Sequence, residues 1–152
     1  MNKQEEAKLL EVAEHYFRSG DVGFAEPLLS SILKSNDSNS KANELLAYIA
    51  TNKGNAALGF ELLKKANSSL DCSPDATYYL GKLYLSRGDM VDAIACLQLA
   101  LKNAGDFFEG LHDLGMALAQ LGLHDEALIA YEKACALRAD SHTLYNGWNK
   151  WC

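Results

Sequence analysis

The stretch Leu80–Ala100, LGKLYLSRGDMVDAIACLQLA, decides the fold of this chain. It consists of two segments in which apolar residues recur three and four positions apart, the spacing that is typical of amphipathic helices. Gly88 and Asp89 separate the two segments. A glycine tolerates the left-handed conformation that follows many helices, and an aspartate can cap the next helix. The stretch therefore predicts a helix, a tight turn and a second helix.

The same pattern recurs along the chain with a period of 34 residues. The glycines that recur in register are Gly20, Gly54, Gly88 and Gly122. The units that contain them begin at Glu6, Ser40, Pro74 and Phe108. Positions 8 and 20 of every unit hold small residues, namely Ala13, Ala47, Gly81 and Gly115, and Ala25, Gly59, Ala93 and Ala127. Small residues there would let the two helices of one unit cross closely.

These positions resemble the tetratricopeptide repeat (TPR) family. Its pattern has a large residue at position 4, Leu-Gly at 7–8, Tyr at 11, Ala at 20, an aromatic residue at 24, Ala at 27 and Pro at 32. The resemblance covers residues 6–139, and the copy that matches best contains Leu80, Gly81, Tyr84, Gly88, Ala93 and Ala100. Asn43 and Thr77 depart from the pattern at position 4, and no copy has proline at position 32.

The resemblance implies an all-α fold, a right-handed superhelix of helix-turn-helix repeats in which four repeats are followed by a C-terminal capping helix. The expected repeats span about 6–39, 40–73, 74–107 and 108–141, with a terminal helix over 142–152, in a single TPR domain over 1–152. Ser141 could cap the terminal helix, whose apolar stripe includes Trp148 and Trp151. This segment is either a natural cap or the cut end of a longer array. Pro27 predicts a bend in the second helix, or a later start of that helix.

Composition and charge narrow the possible functions. The chain has 49% apolar residues and a net charge of −6, which argues against binding to nucleic acid or to an anionic membrane surface. The N-terminus lacks the pattern of a secretory signal, and no apolar run approaches the ~18 residues of a membrane span. We therefore expect a cytoplasmic protein, with its four cysteines as reduced thiols.

The resemblance also implies where a partner would bind. TPR domains present positions 2, 5, 6, 9, 12 and 13 of the first helix of each repeat on a concave wall, and solenoids bind partners there. In this chain the wall carries six carboxylates and three basic side chains, with several aromatic residues among them. The candidate peptide-binding residues are Glu14, Phe17, Arg18, Tyr48, Asn52, Tyr78, Tyr79, Lys82, His112 and Met116. We expect the groove to bind a peptide or helix that carries apolar anchors and positive charge.

Catalytic and metal-binding motifs are absent from the sequence. The histidines lack the spacing of a zinc site, no Cys-x-x-Cys pair occurs, and the glycines do not form a phosphate loop. His112 beside Asp113 and Glu109 could form a proton relay, although a solvated histidine is the simpler interpretation. We therefore expect neither a cofactor, a metal nor an enzymatic activity.

The leading functional hypothesis is a protein-interaction module, either a scaffold or adaptor or a chaperone-like protein. Two alternatives remain. The chain could be the N-terminal TPR segment of a larger bacterial enzyme, such as a glycosyltransferase or methyltransferase. It could also be an assembly scaffold that self-associates through its C-terminal helix.

Overall fold

The computed structural model describes residues 1–142, and side chains within residues 1–138. In this part of the chain all regular structure is helical. The helices are α1 (Lys3–Arg18), α2 (Val22–Ser35), α3 (Ser40–Asn52), α4 (Ala56–Asn67), α5 (Pro74–Arg87), α6 (Met90–Ala104), α7 (Phe108–Gln120) and α8 (His124–His142). Helices α3, α5 and α7 begin at the first residues of the predicted units. Our expectations for Trp148, Trp151 and the rest of the terminal helix lie outside the described residues.

The turn inside each helix pair follows the predicted glycine register. Gly20, Gly54, Gly88 and Gly122 all have φ between 80° and 88°, the left-handed region that favours glycine. In the first pair, the N–H of Gly20 donates to Phe17 O over 3.1 Å, and the N–H of Asp21 donates to Tyr16 O over 2.9 Å. This is the Schellman arrangement, in which a left-handed residue satisfies the last carbonyls of a helix. The turn glycines therefore terminate the first helix of each pair.

The predicted helix caps are only partly confirmed. Asp21, Asn55 and Asp89 all occupy the N-cap position of the next helix, as expected. However, only Asn55 makes the side-chain bond, accepting from the N–H of Leu58 over 3.2 Å. Asp21 and Asp89 make no such bond, so the prediction of a side-chain cap is wrong at these two positions. The backbone of each aspartate is instead held by the Schellman turn that ends the preceding helix.

The chain folds into two compact units. The first spans Met1–Ala76, and the second begins at Thr77. The core of the first unit is formed by buried residues from α1, α2 and α3. Its members are Ala13, Ala25, Leu29, Ile32, Ala42, Leu45 and Ile49. The core of the second unit is formed by α6, α7 and α8. Its members are Leu97, Leu101, Leu111, Leu114, Leu118, Ala127, Ala130 and Ala134.

The small residues lie where paired helices cross. A Cβ atom added to Gly115 would lie 2.7 Å from Cε1 of Tyr131, and one added to Gly81 would lie 3.2 Å from Cγ of Leu97. At Gly59 the added atom would meet the Thr51 hydroxyl and, at 3.2 Å, the carbonyl of Ala47. These approaches are closer than ordinary van der Waals contact, so the structure confirms the predicted close crossing.

Three local expectations are corrected. Helix α2 starts at Val22 and continues through Pro27, so it does not begin later. Helix α8 runs through Ser141 without a break, and Ser141 therefore does not cap a new helix. Cys135 is disulfide-bonded, whereas Cys72 and Cys96 are thiols, so the expectation of reduced cysteines is wrong for Cys135. Within residues 1–142, no helix combines the length and apolar character that crossing a bilayer requires.

We predict that Gly115→Ala destabilises the protein by about 1–3 kcal/mol, because the added methyl group overpacks against the ring of Tyr131. Gly23→Ala in α2 is the matched control. No atom lies within 4 Å of its added Cβ, and alanine should stabilise this helix by up to about 1 kcal/mol. Urea unfolding followed by circular dichroism measures both changes. Equal stability of Gly115→Ala and the wild type would contradict the close crossing.

Candidate functional site

In the first unit, helices α1 and α3 bring two candidate aromatic residues together. The rings of Phe17 and Tyr48 have their centroids 6.3 Å apart and are tilted by 37°. Both side chains are half-buried and pack against the core of the first unit. Part of each ring therefore packs against the core, and the rest remains accessible to solvent. Such amphipathic rings are frequent anchors at protein interfaces.

A buried carboxylate holds Tyr48 in place. Glu44, one turn earlier on α3, is only 2% exposed, and its Oε1 accepts hydrogen bonds from the Tyr48 hydroxyl at 2.9 Å and the Ser73 hydroxyl at 3.0 Å. Its Oε2 lies 3.2 Å from the Lys41 ammonium. A buried charge is tolerated only when it is paired and hydrogen-bonded, and Glu44 is both. Glu44 therefore orients Tyr48 and is not a free charge on the binding wall.

The remaining candidates of the first unit are more exposed. Arg18 Nη2 lies 2.8 Å from Glu14 Oε2, one turn away on α1. The arginine side chain is 77% exposed, so this pair contributes little to stability. Asn52, near the C-terminal end of α3, is also exposed. Arg18 and Asn52 are thus exposed, and Glu14 is partly exposed.

In the second unit, Tyr78 occupies the centre of a polar cluster. Its hydroxyl donates to Asp113 Oδ2 over 2.8 Å, which connects α5 to α7. Its ring packs edge-to-face against Phe107 with centroids 5.1 Å apart, and the Lys82 ammonium lies 5.6 Å from the ring centroid. The last contact is a cation–π geometry. Phe107 precedes the first residue of its repeat, so the repeat pattern alone did not indicate its role.

His112 contacts two aromatic rings, while 31% of its side chain remains exposed. Its ring stacks on Phe108 with a centroid distance of 5.8 Å and meets Tyr131 edge-on at 5.8 Å. Its Nδ1 lies 3.8 Å from Asp113 Oδ1, an ion pair only when the imidazole is protonated. His112 therefore packs between two rings inside its own helix pair. Tyr79 is half-buried, and Met116 is 37% exposed.

The charges on the predicted wall are unevenly paired. Glu14, Glu44 and Asp113 have the partners described above, and so do Arg18, Lys41 and Lys82. The other three carboxylates, Glu11, Asp75 and Glu109, are exposed and form no ion pair with another described residue. Among the described residues of the predicted wall, three exposed carboxylates therefore form no ion pair, whereas Lys82, which lies over the Tyr78 ring, is the one lysine or arginine without an ion pair.

The first unit contains a polar pocket that the sequence did not predict. It has a volume of about 370 Å³ and lies between the start of α1, the α2–α3 connection and the α4–α5 connection. Its lining includes Glu6, Asn36, Asn39, Lys41, Glu44, Asp71 and Ser73. Glu6 Oε1 accepts hydrogen bonds from the side-chain amides of Asn36 at 2.9 Å and Asn39 at 2.6 Å. Many of the residues that line this pocket lie in loops whose sequence differs from one repeat to the next, so the repeat pattern did not indicate the pocket.

A metal centre finds no support in the described geometry. In the part of the chain that the structure describes, no group of three or more His, Cys, Asp and Glu side chains could hold a metal ion. His112, Asp113 and Glu109 do not form such a group.

Burial and nearby carboxylates perturb two tyrosines. The pKa of Tyr48 is raised well above its ordinary value, first by burial and then by Glu44. The pKa of Tyr78 is raised by burial and by its hydrogen bond to Asp113. Because the folded protein disfavours both phenolates, their contribution is fully present below about pH 10 and is lost as the pH rises further.

We predict that Tyr48→Phe and Tyr78→Phe each lower stability by about 1–2 kcal/mol at neutral pH, because each removes a hydrogen bond to a carboxylate. The double variant should also lose less stability than the wild type between about pH 9 and pH 11. Urea unfolding across this range measures both effects. Identical pH slopes for the double variant and the wild type would contradict the assignment.

Comparison with known proteins agrees with this geometry. Residues 72–107 and 108–141 each match a model of the tetratricopeptide repeat. The crystal structure of MamA superimposes with a TM-score of 0.74 and 22% identity, over 91% of this chain and 81% of that one. Pseudomonas aeruginosa PilF gives a TM-score of 0.68 and 19% identity, over 88% of this chain and 61% of that one.

A third similar structure belongs to an enzyme. Thermobaculum terrenum O-GlcNAc transferase gives a TM-score of 0.63 and 28% identity, over 78% of this chain and 23% of that one. No curated protein sequence shows significant similarity to this chain.

The structural similarity shows the fold, an all-α TPR solenoid, and the matched models place two consecutive repeats at residues 72–141. The described helices before residue 72 have the same glycine turns and the same small crossing residues. Residues 72–141 belong to the tetratricopeptide repeat family, and the rest of the described chain shares the fold of that family.

Proposed function

We propose that this chain is a non-catalytic protein-interaction module that binds a peptide or helix of a partner protein on the first helices of its repeats. It would act as a scaffold, an adaptor or a chaperone-like protein in the cytoplasm, with residues 1–152 forming one TPR domain. TPR solenoids are repeat proteins whose exposed helical surfaces bind other proteins. Both the apolar and the charged features of the candidate surfaces support this role.

The observation that carries the proposal is the unpaired charge on these surfaces. Glu11, Asp75 and Glu109 are exposed carboxylates without an ion-pair partner among the described residues. Of the three basic side chains, Arg18 and Lys41 pair with carboxylates, and Lys82 lies over the Tyr78 ring. A partner with lysine or arginine would complement this charge. We therefore propose a basic segment as the partner.

Half-buried aromatic residues would supply the apolar contacts. Phe17, Tyr48 and Tyr79 are ordered by the fold and lose little side-chain entropy on binding. Met116 adds a flexible apolar side chain that adapts to different partners. The proposed partner segment thus carries apolar anchors between basic residues.

A second candidate function is a TPR segment that belongs to a larger enzyme. The similarity to the O-GlcNAc transferase favours it, because this chain covers only 23% of that protein. In this case the same surfaces would bind the protein substrate of a separate catalytic domain. Whether the reading frame continues beyond Cys152 into a catalytic domain distinguishes the two candidates.

We predict that Asn52→Arg combined with Met116→Arg weakens binding of basic, apolar peptides at least about tenfold, because both changes add positive charge to exposed candidate positions. Leu99→Arg combined with Leu128→Arg is the matched control, since these exposed leucines lie on second helices of the repeats. A peptide array displaying basic, acidic and neutral amphipathic sequences measures the preference.

The expected result is selective capture of basic amphipathic peptides by the wild type and by the control. Equal capture by the wild type and the Asn52/Met116 variant would overturn the proposed surfaces. A preference for acidic peptides would overturn the proposed partner chemistry.

A further inference from the structure

A second pocket lies in the first unit, on a different face from the proposed peptide-binding surfaces. It has a volume of about 290 Å³ and is bounded by α2, α3 and α4. Leu33, Leu46 and Leu62 line it, one from each helix, and all three are half-buried. Tyr48 and Glu44 do not contribute to it. The proposed function does not use this pocket.

The pocket occurs where the chain departs from its own repeat pattern. Asn43, at position 4 of the second repeat, lines the pocket. The first and fourth repeats have Leu9 and Leu111 at this position, and Leu111 is 3% exposed within the core of the second unit. The second repeat therefore places a polar side chain of the same length where these two repeats have leucine.

Asn43 is also an unusual core residue in its hydrogen bonding. It is 1% exposed, and its side-chain nitrogen donates to Asp37 O at 2.9 Å and to Asn39 O at 3.0 Å. Its Oδ1 is buried and has no hydrogen-bond partner among the described residues. Positions that break a local packing rule without an evident gain for the fold are often functional.

The rim of the pocket is positively charged although the chain as a whole carries −6. Lys34 of α2 and Lys65 of α4 both line it and are exposed, and neither forms an ion pair with another described residue. Asp37 is the one carboxylate in the lining. Two lysines above leucine walls complement a carboxylate next to an apolar side chain.

We propose that this pocket is a second docking site, which binds a partner segment carrying an apolar side chain flanked by acidic residues. The apolar side chain enters between Leu33, Leu46 and Leu62, and a carboxylate pairs with Lys34 and Lys65. This chemistry is opposite to that of the basic segment proposed for the first helices. One chain would thereby hold two segments of opposite charge at separate sites.

The test uses the full chain labelled with ¹⁵N and two probe peptides, acetyl-Glu-Glu-Leu-Glu-Glu-amide and acetyl-Lys-Lys-Leu-Lys-Lys-amide. The acidic probe should shift the backbone amides of Leu33, Leu46 and Leu62 and the side-chain amide of Asn43, with a Kd on the order of 0.1–1 mM. The basic probe should leave these signals in place at the same concentrations.

Two sets of variants separate the contributions of charge and space. Lys34→Glu with Lys65→Glu should weaken the acidic probe at least about tenfold, whereas the charge-matched control Lys102→Glu with Lys133→Glu, at exposed positions of the second unit, should change its affinity less than about twofold. Leu62→Trp, whose larger ring would occupy space in the pocket, should also weaken binding about tenfold. Circular dichroism verifies that each variant is folded.

Equal shifts with both probes, or unchanged binding by the folded lysine variant, would overturn the proposal. Concentration-dependent shifts of the same amides without any peptide would identify a second copy of the chain as the occupant, and would overturn it too. The Asn52/Met116 variant tests the basic-segment surfaces independently, so failure of one site leaves the other distinguishable.

Discussion

The close crossing of paired helices is the constraint on which the rest of this structure depends. Where Gly115 meets the ring of Tyr131, and where Gly59 meets Thr51 and the carbonyl of Ala47, there is no space for a larger residue. Helices that approach this closely interlock their side-chain ridges and bury apolar area over their whole length. The left-handed glycine in each turn makes the crossing possible, because it reverses the chain within a few residues.

This packing determines which polar side chains are available for binding. Once α1, α3 and the α4–α5 connection are in place, Glu44 is removed from solvent and must be satisfied inside the fold, by Lys41, Tyr48 and Ser73. Asp113 has an equivalent role for Tyr78 in the second unit. Carboxylates that looked alike in the sequence thus divide into internal hydrogen-bond acceptors and exposed charges such as Glu11.

The prediction from sequence succeeded where a short-range rule applies to every copy. The glycine turns, the small crossing residues and the helix starts at Ser40, Pro74 and Phe108 all follow from a 34-residue register. The prediction failed where several neighbouring groups can interact with the same side chain. Asp21 caps its helix by position without a side-chain bond, and His112 packs between Phe108 and Tyr131 although its sequence neighbours are acidic. Neither outcome is encoded in spacing along the chain.

The sequence by itself determined the family, the helical class and the pairing of helices, because periodic apolar residues and left-handed glycines act within one or two turns. Only the tertiary structure decided which charges are paired, which tyrosines are perturbed and where pockets open. Those properties depend on distances between segments about 30 residues apart, such as Glu44 and Ser73. The substitution at Asn43 was visible as a departure from the pattern, but its pocket emerged only when α2, α3 and α4 were placed side by side.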